Sequence, residues 1–138
     1  MFDEKTIIHT LKTYRNIAVV GISPNTFRPS YGVAYEMLMN GYNIIPVNPN
    51  YKEVLNRHCY DNLLEIKEPI EIVNIFRRSD QVMPIVEEAI QVKAKVIWMQ
   101  LGIVNEQAAR IAREAGLTVV MNRCIKVDHA VFYNQIVP

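Results

Sequence analysis

The sequence lacks any run of apolar residues approaching the roughly 18–20 that a membrane span requires. Its opening, Met1-Phe-Asp-Glu-Lys, puts acids where a secretory signal carries a basic start, and no apolar segment follows. Both absences lead to the expectation of a cytoplasmic protein with no membrane partner. Cysteine is scarce too. Cys59 and Cys124 are the only two, too few for a disulfide framework, and they read as reduced thiols. An excess of charge of one sign is also missing. Fifteen basic residues stand against fourteen acidic ones, for a net charge of +1. That balance argues against a nucleic-acid partner, which would need a basic surplus. A single anionic ligand remains compatible with it, because only local charge decides that binding.

No internal repeat, low-complexity tract or linker interrupts the chain. A length of 138 residues suits one domain with one core and is too short for two ordinary domains. Half of the residues are hydrophobic and 21% are charged, a globular composition. Catalytic constellations are missing as well. There is no Ser-His-Asp spacing and no paired carboxylate at a strand end. His9, His58 and His129 do not have metal-ligand spacing, and Cys124 with His129 is too sparse for zinc. His129 reads as a structural residue of the last helix.

What is present begins with Asn16-Ile-Ala-Val-Val-Gly21, a buried-strand run ending in glycine. The loop Ser23-Pro24-Asn25-Thr26-Phe27-Arg28-Pro29 follows, and Ser30 then opens a helical pattern with Ser30 as its expected N-cap. Strand, glycine turn and helix start make a phosphate-binding device. The glycine lets backbone approach the ligand, and the helix start offers N–H groups and a positive dipole end. Arg28 adds a positive charge.

The rest of the chain alternates between two periodicities. A helix over Glu4–Tyr14 precedes the first strand at Ile17–Gly21. The Ser30 helix runs to about Asn40, with Gly41 at its left-handed C-terminal position. Asn43–Asn48 is the second strand, and Pro46 places it towards an edge or ends its pairing early. Residues 51–64 are weakly patterned, with a turn of helix and a short strand near Cys59. Ile70–Phe76 is the third strand, followed by a helix capped by Ser79 or Asp80 and reaching Val92. Lys95–Gln100 is the fourth, followed by a helix from the cap Asn105 to Ala115. Leu117–Met121 is the fifth, with a final helix from about Val127. Strands alternating with helices imply a doubly wound, Rossmann-like α/β domain with a mostly parallel five-stranded sheet. In such sheets ligands bind beyond the carboxyl ends of the strands, at the topological switch point.

An NAD-binding domain would show G-x-G-x-x-G here and an acid about 20 residues later. This chain has Gly21-Ile-Ser23, no further glycine until Gly32, and Val47-Asn48-Pro49 with no carboxylate. A missing acid with arginines nearby suits a nucleotide with an extra ribose phosphate, a property of NADP and coenzyme A alike. Several stretches resemble one family in order and spacing. They are Val20-Gly21-Ile22-Ser23-Pro24, Arg28-Pro29-Ser30-Tyr31, Gly41-Tyr42 and Ile45-Pro46-Val47-Asn48-Pro49. Val73–Arg78, Trp98-Met99-Gln100-Leu101-Gly102-Ile103 and Val120–Lys126 with His129 continue the match. Over nearly its whole length the chain is similar to the small bacterial CoA-binding proteins of the second CoA-binding domain family. Their fold resembles the N-terminal domain of the succinyl-CoA synthetase alpha subunit.

The resemblance implies a site for coenzyme A or an acyl-CoA built from these loops. Gly21, Ile22, Ser23 and Arg28-Pro29-Ser30 would hold phosphates. Val47-Asn48-Pro49 and Lys52 would meet the adenosine end. Phe76, Arg77 and Arg78 would meet adenine and phosphates, and Gln100 and Gly102 would lie along the pantetheine. The synthetases carry their phosphohistidine in a second domain with no counterpart here, so the ligase chemistry is not expected of this chain alone. The expected function is that of a stand-alone binding, carrier or sensor protein. The alternatives are an NADP-linked oxidoreductase fragment or the CoA-handling subunit of an acyl-CoA ligase. A homo-oligomer or a protein partner remains open. Cys124 reads first as a buried inert thiol, although its place after the fifth strand would permit a mixed disulfide with coenzyme A.

Overall fold

The computed structural model describes residues 3–138. Five short apolar strands form its main sheet: β1 (Asn16–Val20), β2 (Asn43–Val47), β5 (Ile72–Ile75), β6 (Val96–Met99) and β7 (Thr118–Met121). They lie in the order β2-β1-β5-β6-β7, and every neighbouring pair is parallel. The chain therefore leaves β1 in one direction to β2, then crosses back to continue on the other side with β5. The switch point falls between β1 and β5. The expected doubly wound α/β architecture is what the chain adopts.

Side chains alternate between the two faces, so each face of the sheet needs its own helical cover. On one face Ile17, Val19, Ile72, Val96 and Trp98 pack with residues of α1 (Glu4–Thr13), α2 (Pro29–Met39), α5 (Ile125–Val131) and α6 (Tyr133–Ile136). On the other, Ala18, Val20, Val73, Ile75, Ile97 and Met99 pack with α3 (Val82–Gln91) and α4 (Glu106–Glu114). The facing positions of α4 are Ala108, Ala109 and Ala112, all fully buried, which lets this helix sit close to the strands.

Pro46 is tolerated because β2 is an edge strand. Gly21 N–H bonds to Val47 O, which turns Val47 towards β1 and Pro46 outwards. The outward Pro46 carbonyl accepts from Tyr60 N–H, and Asn48 N–H donates to Tyr60 O. The weakly patterned stretch after β2 contains β3 (Glu53–Val54) and β4 (Arg57–His58), a two-stranded antiparallel hairpin whose far end covers that edge. It turns through Leu55 and Asn56, both at φ 57°.

Three helix starts differ from the expected ones. Arg28, not Ser30, occupies the cap position of α2, because Pro29 takes the first helical turn, where its missing N–H costs nothing. The Ser30 hydroxyl instead accepts from Ser23 N–H at 3.0 Å and ties the loop to the helix. Ser79 does not cap α3. Residues Ser79–Gln81 form a 3-10 turn, α3 begins at Val82, and Ser79 Oγ accepts from Val104 N–H in the loop after β6. The last helical segment begins at Ile125, two residues earlier than expected, with Cys124 as its cap, and it breaks at Phe132. The Asn105 cap holds as expected: its side chain accepts from Ala108 N–H. Gly41 stands at φ 94° with Tyr42 N–H on Met37 O and Gly41 N–H on Leu38 O, a Schellman ending.

Candidate functional site

The loops after β1, β2, β5, β6 and β7 surround a cleft of about 690 Å³ above the β1–β5 switch. Three arginines line it, Arg28, Arg77 and Arg78, and no carboxylate does, although Arg78 Nε is ion-paired at 3.3 Å with the exposed Asp80 outside the lining. The cap residue of α2 makes no side-chain cap bond, so the positive end of that helix is not closed by its own sequence. Ser23 and Ser30 stand beside it on the same wall. Such a wall is built for an anion. The far wall differs. Leu101, Ile103 and Cys124 make it largely apolar, with Gln100 as the polar exception.

The wall is held by side-chain bonds within and between loops. Asn48 is buried, donates its amide to Ile22 O at 2.9 Å, and accepts from Asn50 N–H at 3.0 Å. It thereby locks the loop after β2 to the loop after β1. In the loop after β1, Asn25 N–H bonds Ser23 Oγ and Phe27 N–H bonds Asn25 Oδ1. Asn105 Nδ2 reaches Ser79 O, and Gly102 N–H reaches Asn122 Oδ1 at 2.7 Å, joining the exits of β5, β6 and β7. At the β7 exit a bidentate pair, Arg123 to Asp128 at 2.8 and 2.7 Å, fixes the start of α5. Asp128 is buried, and its carboxylate raises the pKa of the Arg123 guanidinium further above its ordinary value.

Gly21 has a structural reason of its own. It adopts φ 91°, and a Cβ there would lie 2.4 Å from the Phe76 carbonyl oxygen. The glycine is required first by the close passage of the β1 and β5 exits.

Ten of the fifteen residues expected from sequence border the cleft: Gly21, Ser23, Arg28, Pro29, Ser30, Asn48, Phe76, Arg77, Arg78 and Gln100. The other five do not. Ile22 is fully buried in the core beneath the loop, and Val47 is buried on the opposite face of the sheet. Pro49 borders a neighbouring hollow of about 400 Å³ where three carboxylates, Asp61, Asp80 and Glu88, outnumber one cation, Arg77, which it shares with the cleft. Lys52 is exposed at the start of the β3–β4 region and borders neither space. Gly102 is exposed, with its N–H committed to Asn122. The structure adds Val33, Asn50, Tyr51, Leu101, Ile103 and Cys124 to the lining. Cys124 is half-buried on the cleft wall rather than a core thiol. Cys59 is the core thiol: it is buried, its Sγ lies 3.5 Å from Asn48 O, and burial raises its pKa. Phe27 points away at 94% exposure. Tyr31 stacks on Tyr35 with ring centroids 6.4 Å apart. Neither borders the cleft.

Among the described residues no group of three or more His, Cys, Asp or Glu could hold a metal ion, and no helix is long and apolar enough to cross a membrane. Another groove, of about 460 Å³, follows the open edge of β7 and mixes Asp3 with Arg113 and Arg123. It lacks the one-sign lining that distinguishes the β1–β5 cleft.

A parallel sheet with an anion-directed cleft at its switch point defines a nucleotide-binding α/β domain of the Rossmann-like class. Within that class, residues 15–130 match the CoA binding domain family, and the chain belongs to it. It is 47% identical over 121 residues to the uncharacterized protein YneT of Bacillus subtilis, covering 88% of this chain and 90% of that one. A solved structure of a hypothetical protein from Pyrococcus horikoshii superposes with a TM-score of 0.93 at 40% identity, covering 96% of this chain and 93% of that one. The ADP-forming acetate–CoA ligase II of Archaeoglobus fulgidus is 29% identical over 87 residues. That match covers 60% of this chain and 13% of the ligase, so the likeness is to one segment of a much larger enzyme.

Proposed function

We propose that the chain binds coenzyme A or an acyl-CoA in the β1–β5 cleft and acts as the CoA-handling component of an acyl-CoA ligase type of system. The observation that carries the binding reading is the polarity of the cleft. One end gathers three arginines and the α2 terminus, with Asp80 on Arg78 but no carboxylate in the lining itself, and the other end is largely apolar. Coenzyme A has the same polarity: three phosphates at one end and a long neutral arm at the other. In this reading Ser23, Arg28 and Ser30 take the pyrophosphate. Asn48, Asn50 and Tyr51 flank the adenosine, with Arg77 or Arg78 on the ribose phosphate. The arm runs from β1 across β5 and β6 towards β7, three strand spacings or on the order of 14 Å.

No histidine or carboxylate lines the cleft, so acid–base work on the ligand would come from another polypeptide. The segment shared with the acetate–CoA ligase supports the ligase context. The near full-length matches to the Bacillus and Pyrococcus proteins support a second reading, an independent carrier or sensor of CoA.

Calorimetry at fixed salt with CoA, acetyl-CoA, NADP, NAD and ATP tests the ligand. CoA or acetyl-CoA should bind most tightly, and a preference for NADP would overturn the assignment. For the role, the purified chain should form no acyl-CoA from ATP, CoA and a carboxylate until a second polypeptide is supplied. Turnover by the chain alone would contradict the division of labour. Binding with no stimulation by any partner fraction would favour the carrier or sensor reading.

A further inference from the structure

We infer that Gln100 is a specificity residue for the arm of the ligand, presenting an amide N–H donor to a carbonyl oxygen near the arm's far end. The inference rests on the reading of the cleft as a CoA site. Gln100 leaves β6 at 6% exposure, so its neighbours decide how its amide is turned. Ile125 N–H points at its Oε1 from 3.4 Å, and Asn74 Nδ2 donates to the same oxygen at 3.2 Å. A backbone N–H can only donate, so the atom it meets is the oxygen. The Asn74 amide is fixed in the same way from its other side, because its Nδ2 lies 3.4 Å from the Trp98 carbonyl, which can only accept. The two amides form a short chain, Trp98 O to Asn74 to Gln100 to Ile125 N–H. Each end is a backbone group with a single role. No flip of either amide satisfies both ends.

Gln100 Nε2 is therefore the outward atom. Among the described residues it has no hydrogen-bond partner, yet the fully buried side-chain polar atom in that condition is His129 Nε2. Gln100 Nε2 thus keeps an opening, and the space Gln100 borders is the cleft. Around it the wall is Leu101, Ile103 and Cys124. A lone donor in an apolar wall discriminates strongly, since a ligand without an acceptor there leaves the donor desolvated and unpaired. The chemistry it selects is a carbonyl oxygen. In coenzyme A that is an amide carbonyl of the pantetheine, and in an acyl-CoA it is also the thioester carbonyl. Asn74 is the positioning residue: buried at 1% exposure in the central strand, it meets no ligand and sets the direction of the amide that does.

The test is calorimetry on wild type and Gln100→Glu with three ligands: CoA, acetyl-CoA and adenosine 3′,5′-bisphosphate, which has no arm. Glutamate keeps an oxygen towards Asn74 and Ile125 and turns the outward donor into an acceptor. The bisphosphate should bind both proteins alike, while CoA or acetyl-CoA weakens roughly tenfold or more in the variant. An equal loss for both assigns the contact to a pantetheine amide, and a loss for acetyl-CoA alone assigns it to the thioester. Unchanged affinity for both overturns the inference and leaves the CoA site standing. Failure of all three ligands to bind wild type overturns the underlying reading instead. If Gln100→Glu does not fold, wild-type protein decides with CoA analogues in which one arm carbonyl at a time is a methylene. A tenfold loss for one analogue supports the contact, and equal affinities refute it.

Discussion

Replacing Gly21 by alanine should cost about 2–5 kcal/mol of stability, and the structure separates that figure into two parts. The first is conformational. At φ 91° an L side chain is strained by about 1–2 kcal/mol. The second is steric. The new Cβ would stand 2.4 Å from Phe76 O and 3.1 Å from Phe76 C, and both contacts are backbone. They cannot move aside freely. Phe76 N–H is bonded to Val20 O and Gly21 N–H to Val47 O, each at 2.8 Å, so the exits of β1, β2 and β5 are laced together at that point. Relief means stretching one of those bonds or displacing a strand end, a cost of about 1–3 kcal/mol by analogy with overpacked cores. Gly41 supplies the control. Its φ is 94°, and a Cβ there would meet nothing within 4 Å, so Gly41→Ala should show the conformational part alone. Urea unfolding of wild type and both variants measures the difference as a shift in midpoint at constant m. Gly21→Ala should lie at least about 1 kcal/mol below Gly41→Ala. Equal stabilities would refute the argument that β1 and β5 pass too closely for a side chain. The same comparison guards the binding experiments, because affinity lost in a Gly21 variant reports on the strand exits before it reports on ligand contact.

Removing the ribose 3′-phosphate should weaken CoA by on the order of 1.5–3 kcal/mol, roughly 10- to 150-fold. Calorimetry with dephospho-CoA on wild type, Arg77→Ala and Arg78→Ala shows which guanidinium carries it, and equal affinities for the two ligands in wild type would exclude both. Lys52→Ala should change nothing, because Lys52 lies outside the cleft lining. In native protein a thiol reagent should modify Cys124 quickly and Cys59 slowly at neutral pH, since burial raises the Cys59 pKa, and saturating CoA should slow the Cys124 reaction. Mass spectrometry of the labelled peptides reads both rates, and no protection by CoA would place the ligand away from Cys124. Burial, with Arg15 nearby, lowers the pKa of His129 below its ordinary 6.5. Above pH 6.5 both folded and unfolded chains hold it neutral; below, the unfolded chain takes up the proton first, so stability falls as pH drops from 6.5 towards the lowered folded value. His129→Phe should flatten that part of the stability–pH curve, and an unchanged slope would assign the effect to other groups.

The sheet was legible because each strand is a short apolar run bounded by turn residues, and Pro46 marked its own edge. Helix starts were less so. Ser30 and Ser79 are good caps by residue type, but their hydroxyls serve other loops, at Ser23 and Val104, and such long-range bonds leave no local trace. The strand ends mark the cleft, yet position in sequence does not say which way a residue points. Ile22 and Val47 flank cleft-lining neighbours and turn into the core. Leu101 and Ile103 carried a signal that could have been used: apolar residues on either side of a glycine just after a strand suit an exposed wall. Tyr51, just beyond Pro49, carried a similar one. The β3–β4 hairpin was hidden because its turn uses Leu55 and Asn56 at positive φ, where glycine would have announced it.

Asn74 also bears on how the strands find one another during folding. β1, β5, β6 and β7 are short runs of valine, isoleucine and other apolar residues, and to the hydrophobic effect such runs are nearly interchangeable. A slip of one residue would be penalised by turning each side chain to the wrong face, but a slip of two would not. Asn74 removes that degeneracy. Paired with Trp98, it has the Trp98 carbonyl and the Gln100 amide within reach. A slip of two that set it against Val96 would carry it out of reach of the Gln100 amide and lose that buried side-chain bond, at a cost of about 0.5–1.5 kcal/mol. One polar residue in the middle of the sheet thus acts as an alignment mark for β5 against β6, and the same mark brings the β6 exit into place over the cleft.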